Sequence, residues 1–233
     1  MCEHDAAVPG EAVSERDLEG RRILVTAGPT QEAIDPVRFI SNHSTGRMGY
    51  AIAQRAHERG AEVVLVTGKV SIEPPAGVEV VDVVSAQDMF EAVSARYGDC
   101  DAVIKAAAVA DYRPKHAAAD KVKKKDGDMV IELERTVDIL SWLGAHRVAG
   151  QRLCGFSMET RDVLENSRAK LERKNVDMIC ANCLKEEGAG FGTPTNHLTL
   201  ITREGMTDLP LMDKLDAADR VLSALFSLAA REG

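Results

Sequence analysis

Apolar runs of strand length alternate along the chain with segments whose apolar positions recur every three to four residues. This is the pattern of strands buried on both faces and separated by amphipathic helices. RILVTA (Arg22–Ala27), EVVLVT (Glu62–Thr67) and VEVVDV (Val78–Val83) read as the first three strands. A helix over Met48–Arg59, stopped by Gly60, lies between the first two. A second helix runs from Ser85 to about Tyr97, with Ser85 as its cap and Asp88 at the capping-box position. AVIKAAAV (Ala102–Val109) is the fourth strand, and its C-terminal end should reach the edge where parallel sheets bind ligands. The pattern then predicts a helix near Asp138–Arg147, a strand at Arg152–Ser157 and a helix over Val163–Lys174. Strands at Asp177–Ala181 and His197–Thr202 and a final helix from Lys214 complete it. The order predicts a Rossmann-like α/β fold, doubly wound on a mostly parallel sheet.

One segment departs from the alternation. In DYRPKHAAADKVKKKDGDMVIELE, the Asp126-Gly127 pair between two alternating runs signals a hairpin. It predicts a two-stranded arm leaving the sheet, with Lys121, Lys123, Lys124 and Lys125 on its first strand, able to close over a ligand. Residues 1–20 are acidic and lack an apolar signal core, so they read as a leader or linker, and 21–233 as a single nucleotide-binding domain.

The stretch SNHSTGRMGY (Ser41–Tyr50) has the glycines and hydroxyls of a phosphate-cradling turn. A dinucleotide loop would read G-x-G-x-x-G straight off the first strand, whereas here PTQEAIDPVRFI separates Gly28 from Gly46 and Gly49. An NAD enzyme is further disfavoured because the second strand ends Thr67-Gly68-Lys69, without the acid that meets a ribose. A hydrolase elbow fails too, since Gly155-Phe156-Ser157 is followed by Met158-Glu159. What remains is an anion site: Ser44, Thr45 and Gly46 at a helix N-terminus, where free N–H groups and the helix dipole favour phosphate. A hydroxyl cap without a ligand is the alternative. The lysines of the arm, and Lys170 and Lys174 one turn apart on a helix, are by themselves ordinary solvated charges.

A formal net charge of −8 argues against non-specific nucleic-acid binding. No apolar run approaches the roughly 20 residues of a membrane helix, and the expectation is a cytoplasmic protein without membrane partners. Five cysteines at irregular spacing suit reduced thiols. Cys180-x-x-Cys183 reads as a buried strand residue and its neighbour, because no second ligand pair accompanies it.

GPTQEAIDPVRFISNHSTGRMGYAIA, KAAAVADYRP, the K-x-K-K of Lys121–Lys124, GFSMET and RKNVDMICAN occur in that order. Together they closely resemble the phosphopantothenoylcysteine synthetase family, from about Arg21 to the C-terminal helix. The resemblance implies a ligase joining 4'-phosphopantothenate to L-cysteine through an acyl-cytidylate made from CTP, with Mg²⁺ on the triphosphate. It also implies a homodimer, and a flavin-dependent decarboxylase either fused or separate. By position it implies that Asn42 is the catalytic asparagine of the second step and Lys121 the catalytic lysine of the first. Nucleotide contacts fall on Lys105, Ala106, Ala107, Asp111, Lys121, Val137, Asp138, Ile139, Leu140, Phe156, Lys170 and Lys174. The detour would then carry Asn42, Ser44, Thr45 and Gly46 into a substrate pocket, leaving the nucleotide to the end of the fourth strand and the arm. Two departures stand out: Thr136-Val137 where relatives have Asn-Pro, and GFSMET for GFAAET. The rival from another class is a non-catalytic nucleotide-binding module, which would need neither Asn42 nor Lys121.

Overall fold

The computed structural model describes residues 16–124, 127–159, 163–183, 190, 192–229 and 231; the side chains of 159, 163, 164 and 183 are not described. In chain order the first elements are β1 (Arg22–Ala27), β2 (Gln31–Ala33), β3 (Phe39–Ser41), α1 (Arg47–Glu58), β4 (Glu62–Thr67), β5 (Glu79–Asp82) and α2 (Ala86–Ser94). Next come β6 (Ala102–Lys105), β7 (Tyr112–Pro114), β8 (Leu133–Arg135), α3 (Ile139–Ala145), β9 (Arg152–Glu159), α4 (Val163–Arg173) and β10 (Met178–Cys183). The chain closes with β11 (Thr195–Asn196), β12 (Leu198–Thr202), β13 (Met206–Asp208), β14 (Met212–Asp213) and α5 (Lys214–Ser227).

Eight strands form one sheet in the order β13-β12-β10-β9-β6-β1-β4-β5. Every pairing from β5 to β10 is parallel, and β12 and β13 add an antiparallel edge. The expected doubly wound α/β fold is therefore present. Side-chain alternation along β1 explains why its run is apolar throughout. Ile23, Val25 and Ala27 pack into a core with α1 and α5, while Leu24 faces the other core, with Met89 of α2, Leu143 of α3 and Leu171 of α4. β4 and β6 flank β1 on opposite sides, so the strand order reverses there and a crevice opens beyond the C-terminal ends of β1 and β6.

Asp88 and Ser85 make the reciprocal capping box expected of α2. Leu18 is buried in the core and Asp17 pairs with Arg59, so packing against the domain begins inside the stretch read as a leader. The fourth strand is shorter than expected, ending at Lys105. Beyond it the chain leaves the ladder and follows the loop after β1 instead, with Ala107 N–H on Thr26 Oγ1 (3.2 Å) and Ala108 N–H on Gly28 O (3.0 Å).

The arm exists as the antiparallel pair β7–β8, but Lys121, Lys123 and Lys124 are not on a strand. Lys121 to Lys124 are irregular, because the backbone of Val122 bonds to the loop between β2 and β3 rather than to a strand partner. Lys125 and Asp126 lie outside the described residues. The insertion after Gly28 is itself a hairpin, β2–β3, closed by Ile34 N–H on Arg38 O (2.8 Å). Its buried Glu32 accepts from Ala86 N–H (2.8 Å) and so satisfies a first-turn donor of α2.

Candidate active site

The crevice is a cavity of about 170 Å³. Its walls come from Ser44 to Gly49 on one side, from Ala106 to Ala108 after β6, and from Phe156 to Met158 on β9. The cap of α1 is Gly46, in the left-handed region at φ 78° and without a side-chain cap bond. Ser44 Oγ instead accepts from Gly46 N–H (3.3 Å) and shapes the turn. The cap residue itself has no side chain to cover the first-turn N–H groups of α1, which lie at the cavity wall where an anion could meet them. Gly49 lets the helix lie directly on β1: a Cβ there would stand 2.6 Å from Ala27 Cβ and 3.0 Å from Thr26 O.

Asn42 is not part of the cavity wall but is tied to it, its amide donating to Ala108 O (3.0 Å). That same carbonyl accepts from Thr30 N–H (3.3 Å), so the hairpin and the loop after β6 are stitched together beneath Asn42.

On the far side of β9, Lys105, Lys170 and Lys174 gather with Asp111 and Asp138. Lys170 Nζ donates to Phe156 O (3.0 Å), and Lys174 bonds Asp138 and donates to Ser141 Oγ (2.8 Å). Burial first, and the neighbouring Lys170 ammonium second, pull the Lys105 amine down to about 8. A bound polyanion would relieve that crowding of positive charge. Asp138 also caps α3 through Ser141 N–H (3.0 Å), while Thr136 Oγ1 donates to Ala110 O (2.6 Å). These bonds fix the helix start where the relatives' Pro would have pre-set it. Ile139 and Leu140 bury their side chains in the core, so they can offer a ligand only main chain; Val137 stays exposed.

Two expectations change. The phosphate turn and the residues after the fourth strand do not define separate pockets: Ser44 to Gly46, Ala106, Ala107 and Phe156 share one cavity, because β1 and β6 are adjacent. Lys121 is exposed and is not part of that cavity wall.

Four further residues line the cleft: Asn182, Gly190, Asn196 and Lys214. Asn182 Nδ2 donates to Asn196 Oδ1 (2.8 Å), and its own buried Oδ1 has no partner among the described residues. Lys214 Nζ donates to the carbonyls of Gly190, Thr193 and Thr195, and burial lowers its amine to about 8. Asn182 is the penultimate residue of β10, towards the ligand edge, one residue past the end of the expected strand. Nothing local marked Lys214. Among the described residues no group of three potential metal-ligating side chains occurs, and buried Cys180 lies against Cys154 (Sγ···Sγ 3.6 Å).

The model of the DNA/pantothenate metabolism flavoprotein C-terminal domain matches residues 18–228. The chain belongs to this family. It is 49% identical over 218 residues to the coenzyme A biosynthesis bifunctional protein CoaBC of Bacillus subtilis, covering 93% of the chain and 53% of that relative. It is 45% identical over 218 residues to a cysteine/cysteine sulfinic acid decarboxylase from an unknown prokaryotic organism, covering 93% of the chain and 61% of the relative. The chain thus spans little more than half the length of these curated relatives. The crystal structure of the C-terminal domain of a CoaBC protein superposes with a TM-score of 0.77 at 48% identity, over 90% of the chain and 97% of that domain. Of the segments that carry the resemblance, those holding Ser44 to Gly49, Ala106 to Ala108, Phe156 to Met158 and Asn182 reach the crevice, while Lys121 to Lys124 do not line it.

Proposed function

We propose that this domain is a phosphopantothenate–cysteine ligase of coenzyme A biosynthesis that uses CTP. The observation that carries the reading is family membership over nearly the whole chain. A carboxylate oxygen of 4'-phosphopantothenate attacks the α-phosphorus of CTP, the bond to the β-phosphate oxygen breaks, and pyrophosphate leaves. The amine of L-cysteine then attacks the acyl carbon, CMP departs and the amine proton is lost to solvent or a nearby base.

Lys105, Lys170 and Lys174 supply the positive charge a triphosphate needs, and the first turn of α1 offers main-chain donors to a second anionic group. Asn42 donates to the acyl oxygen as charge develops on it, through the N–H left over from its bond to Ala108 O. Lys121 acts when its segment brings it to the departing pyrophosphate. Mg²⁺ enters with the triphosphate, whose oxygens supply most of its ligands, as part of the substrate. The working form is a cytoplasmic homodimer, with the decarboxylase that consumes its product either fused or separate.

Pyrophosphate release from CTP, measured with phosphopantothenate in the presence and absence of cysteine, tests the reading. Release that requires phosphopantothenate but not cysteine is expected. No release under either condition would refute it.

A further inference from the structure

Lys121 has to be delivered to the reaction from an exposed, irregular segment, and the structure contains a device that fixes where that segment starts and turns. The loop between β2 and β3 folds the Asp35 carboxylate inward. Its Oδ1 accepts from Val37 N–H and Arg38 N–H (both 2.9 Å), and its Oδ2 accepts from Arg38 Nη2 (2.5 Å). Asp35 is fully buried at its side chain, and the Arg38 guanidinium holds its carboxyl well below the usual carboxylate range. The residue beside Lys121 completes the arrangement: Val122 N–H donates to Asp35 Oδ2 (3.1 Å), and Arg38 Nη2 donates to Val122 O (3.1 Å). A second tie, Ala118 N–H on Ile34 O (2.9 Å), holds the same segment three residues upstream of Lys121.

We infer that the Asp35–Arg38 pair is a positioning device for Lys121, clasping both main-chain polar groups of Val122 so that the lysine is presented from a fixed point of the hairpin that also carries Asn42. A local turn does not need this construction. Asp35 Oδ1 closes the loop on the Val37 and Arg38 N–H groups and Oδ2 pairs with the Arg38 guanidinium, whereas the remaining bonds, Val122 N–H on Oδ2 and Arg38 Nη2 on Val122 O, reach a residue more than 80 positions away. Burying a charged carboxylate is tolerated only when it is fully bonded, and one of its bonds is spent on Val122. The chemistry assigned to the lysine rests on the ligase reading above; the clasp itself does not.

Asp35→Asn keeps the shape and removes the charge. Trypsin cleavage after Lys121, Lys123 and Lys124 in the folded protein should then accelerate by about tenfold or more, since native-state cleavage follows local opening. In the pyrophosphate assay kcat should fall by about tenfold or more with a much smaller change in KM for phosphopantothenate. The double variant Asp35→Asn/Lys121→Gln should be no slower than Lys121→Gln alone, because a residue acting through the lysine has nothing left to position. Arg38→Lys, which keeps the charge but loses the fork, should reproduce the trypsin result and guards against an Asp35→Asn protein that fails to fold. Unchanged cleavage in the variants, or additive losses in the double variant, would overturn the inference. An inactive wild type would sink the ligase reading and leave the cleavage comparison to decide the clasp.

Discussion

Lys105 is the residue whose chemistry the fold alters most. Burial beside Lys170 brings its amine to about 8, so the free protein loses that proton as pH rises through 8. A polyphosphate favours the charged form, raises the pKa on binding, and draws a proton from solvent above pH 8. CTP affinity should therefore be greatest below pH 8 and fall above it by up to about tenfold per unit until the bound-state pKa is reached. Calorimetry in buffers of different ionisation enthalpy near pH 8.5 reads the proton uptake directly. Lys105→Met should abolish most of it, although Lys214 titrates in the same range; uptake unchanged in that variant would reassign the proton to Lys214. Asn42 separates the two half-reactions. Asn42→Asp puts a carboxylate where the acyl oxygen gains charge, so the variant should form and retain the acyl-cytidylate but fail to make the cysteine adduct. Rapid quench with labelled CTP distinguishes this from a purely structural asparagine, whose loss would slow both steps together or neither.

At the scale of elements, α1 lies directly on β1. The cost of disturbing it is concentrated at Gly49, where a Cβ would press on Ala27 and on the Thr26 carbonyl. Gly49→Ala should lower stability by about 1–3 kcal/mol, seen as an earlier urea midpoint with an unchanged slope. An unaltered midpoint would mean the helix can lift off the strand at no cost. That helix, and the strands either side of it, were legible in the sequence because each buries a continuous or periodic apolar face. The β2–β3 hairpin was not, since its strands are three residues long and its apolar members Val37 and Phe39 are exposed. β13 escaped for the same reason: all three of its residues face solvent. The site was legible where a motif carried it, as at Ser44 to Gly49 and Ala106 to Ala107. Asn196 and Lys214 were hidden because they reach the crevice through a tertiary contact, three loop carbonyls gathered on one ammonium.

For the whole molecule, the two small ribbons raise a question the main sheet does not. β2–β3 and β7–β8 adjoin each other through Ala118 and Ile34, and between them they expose Val37, Phe39, Tyr112, Met129, Val130 and Leu133, with Val130 at 91%. Scattered apolar side chains on a surface need no explanation, but six on two neighbouring ribbons outside the core are where the proposed homodimer would be joined. A second copy of the chain is the occupant that agrees with the proposed homodimer, and it would bring each partner's arm and Asn42 hairpin close to the symmetry axis. Sedimentation at micromolar protein should then give the mass of a dimer. Phe39→Asp and Val130→Asp should each shift it toward the monomer while leaving the thermal transition of the eight-stranded sheet nearly in place, since a substitution at a solvent-only position costs within about 0.5 kcal/mol. Placing a carboxylate in an apolar interface costs several times that, because the charge must lose its water without gaining a partner. A wild type that runs as a monomer with full ligase activity would leave the ribbons serving the active site alone, through the clasp on Val122.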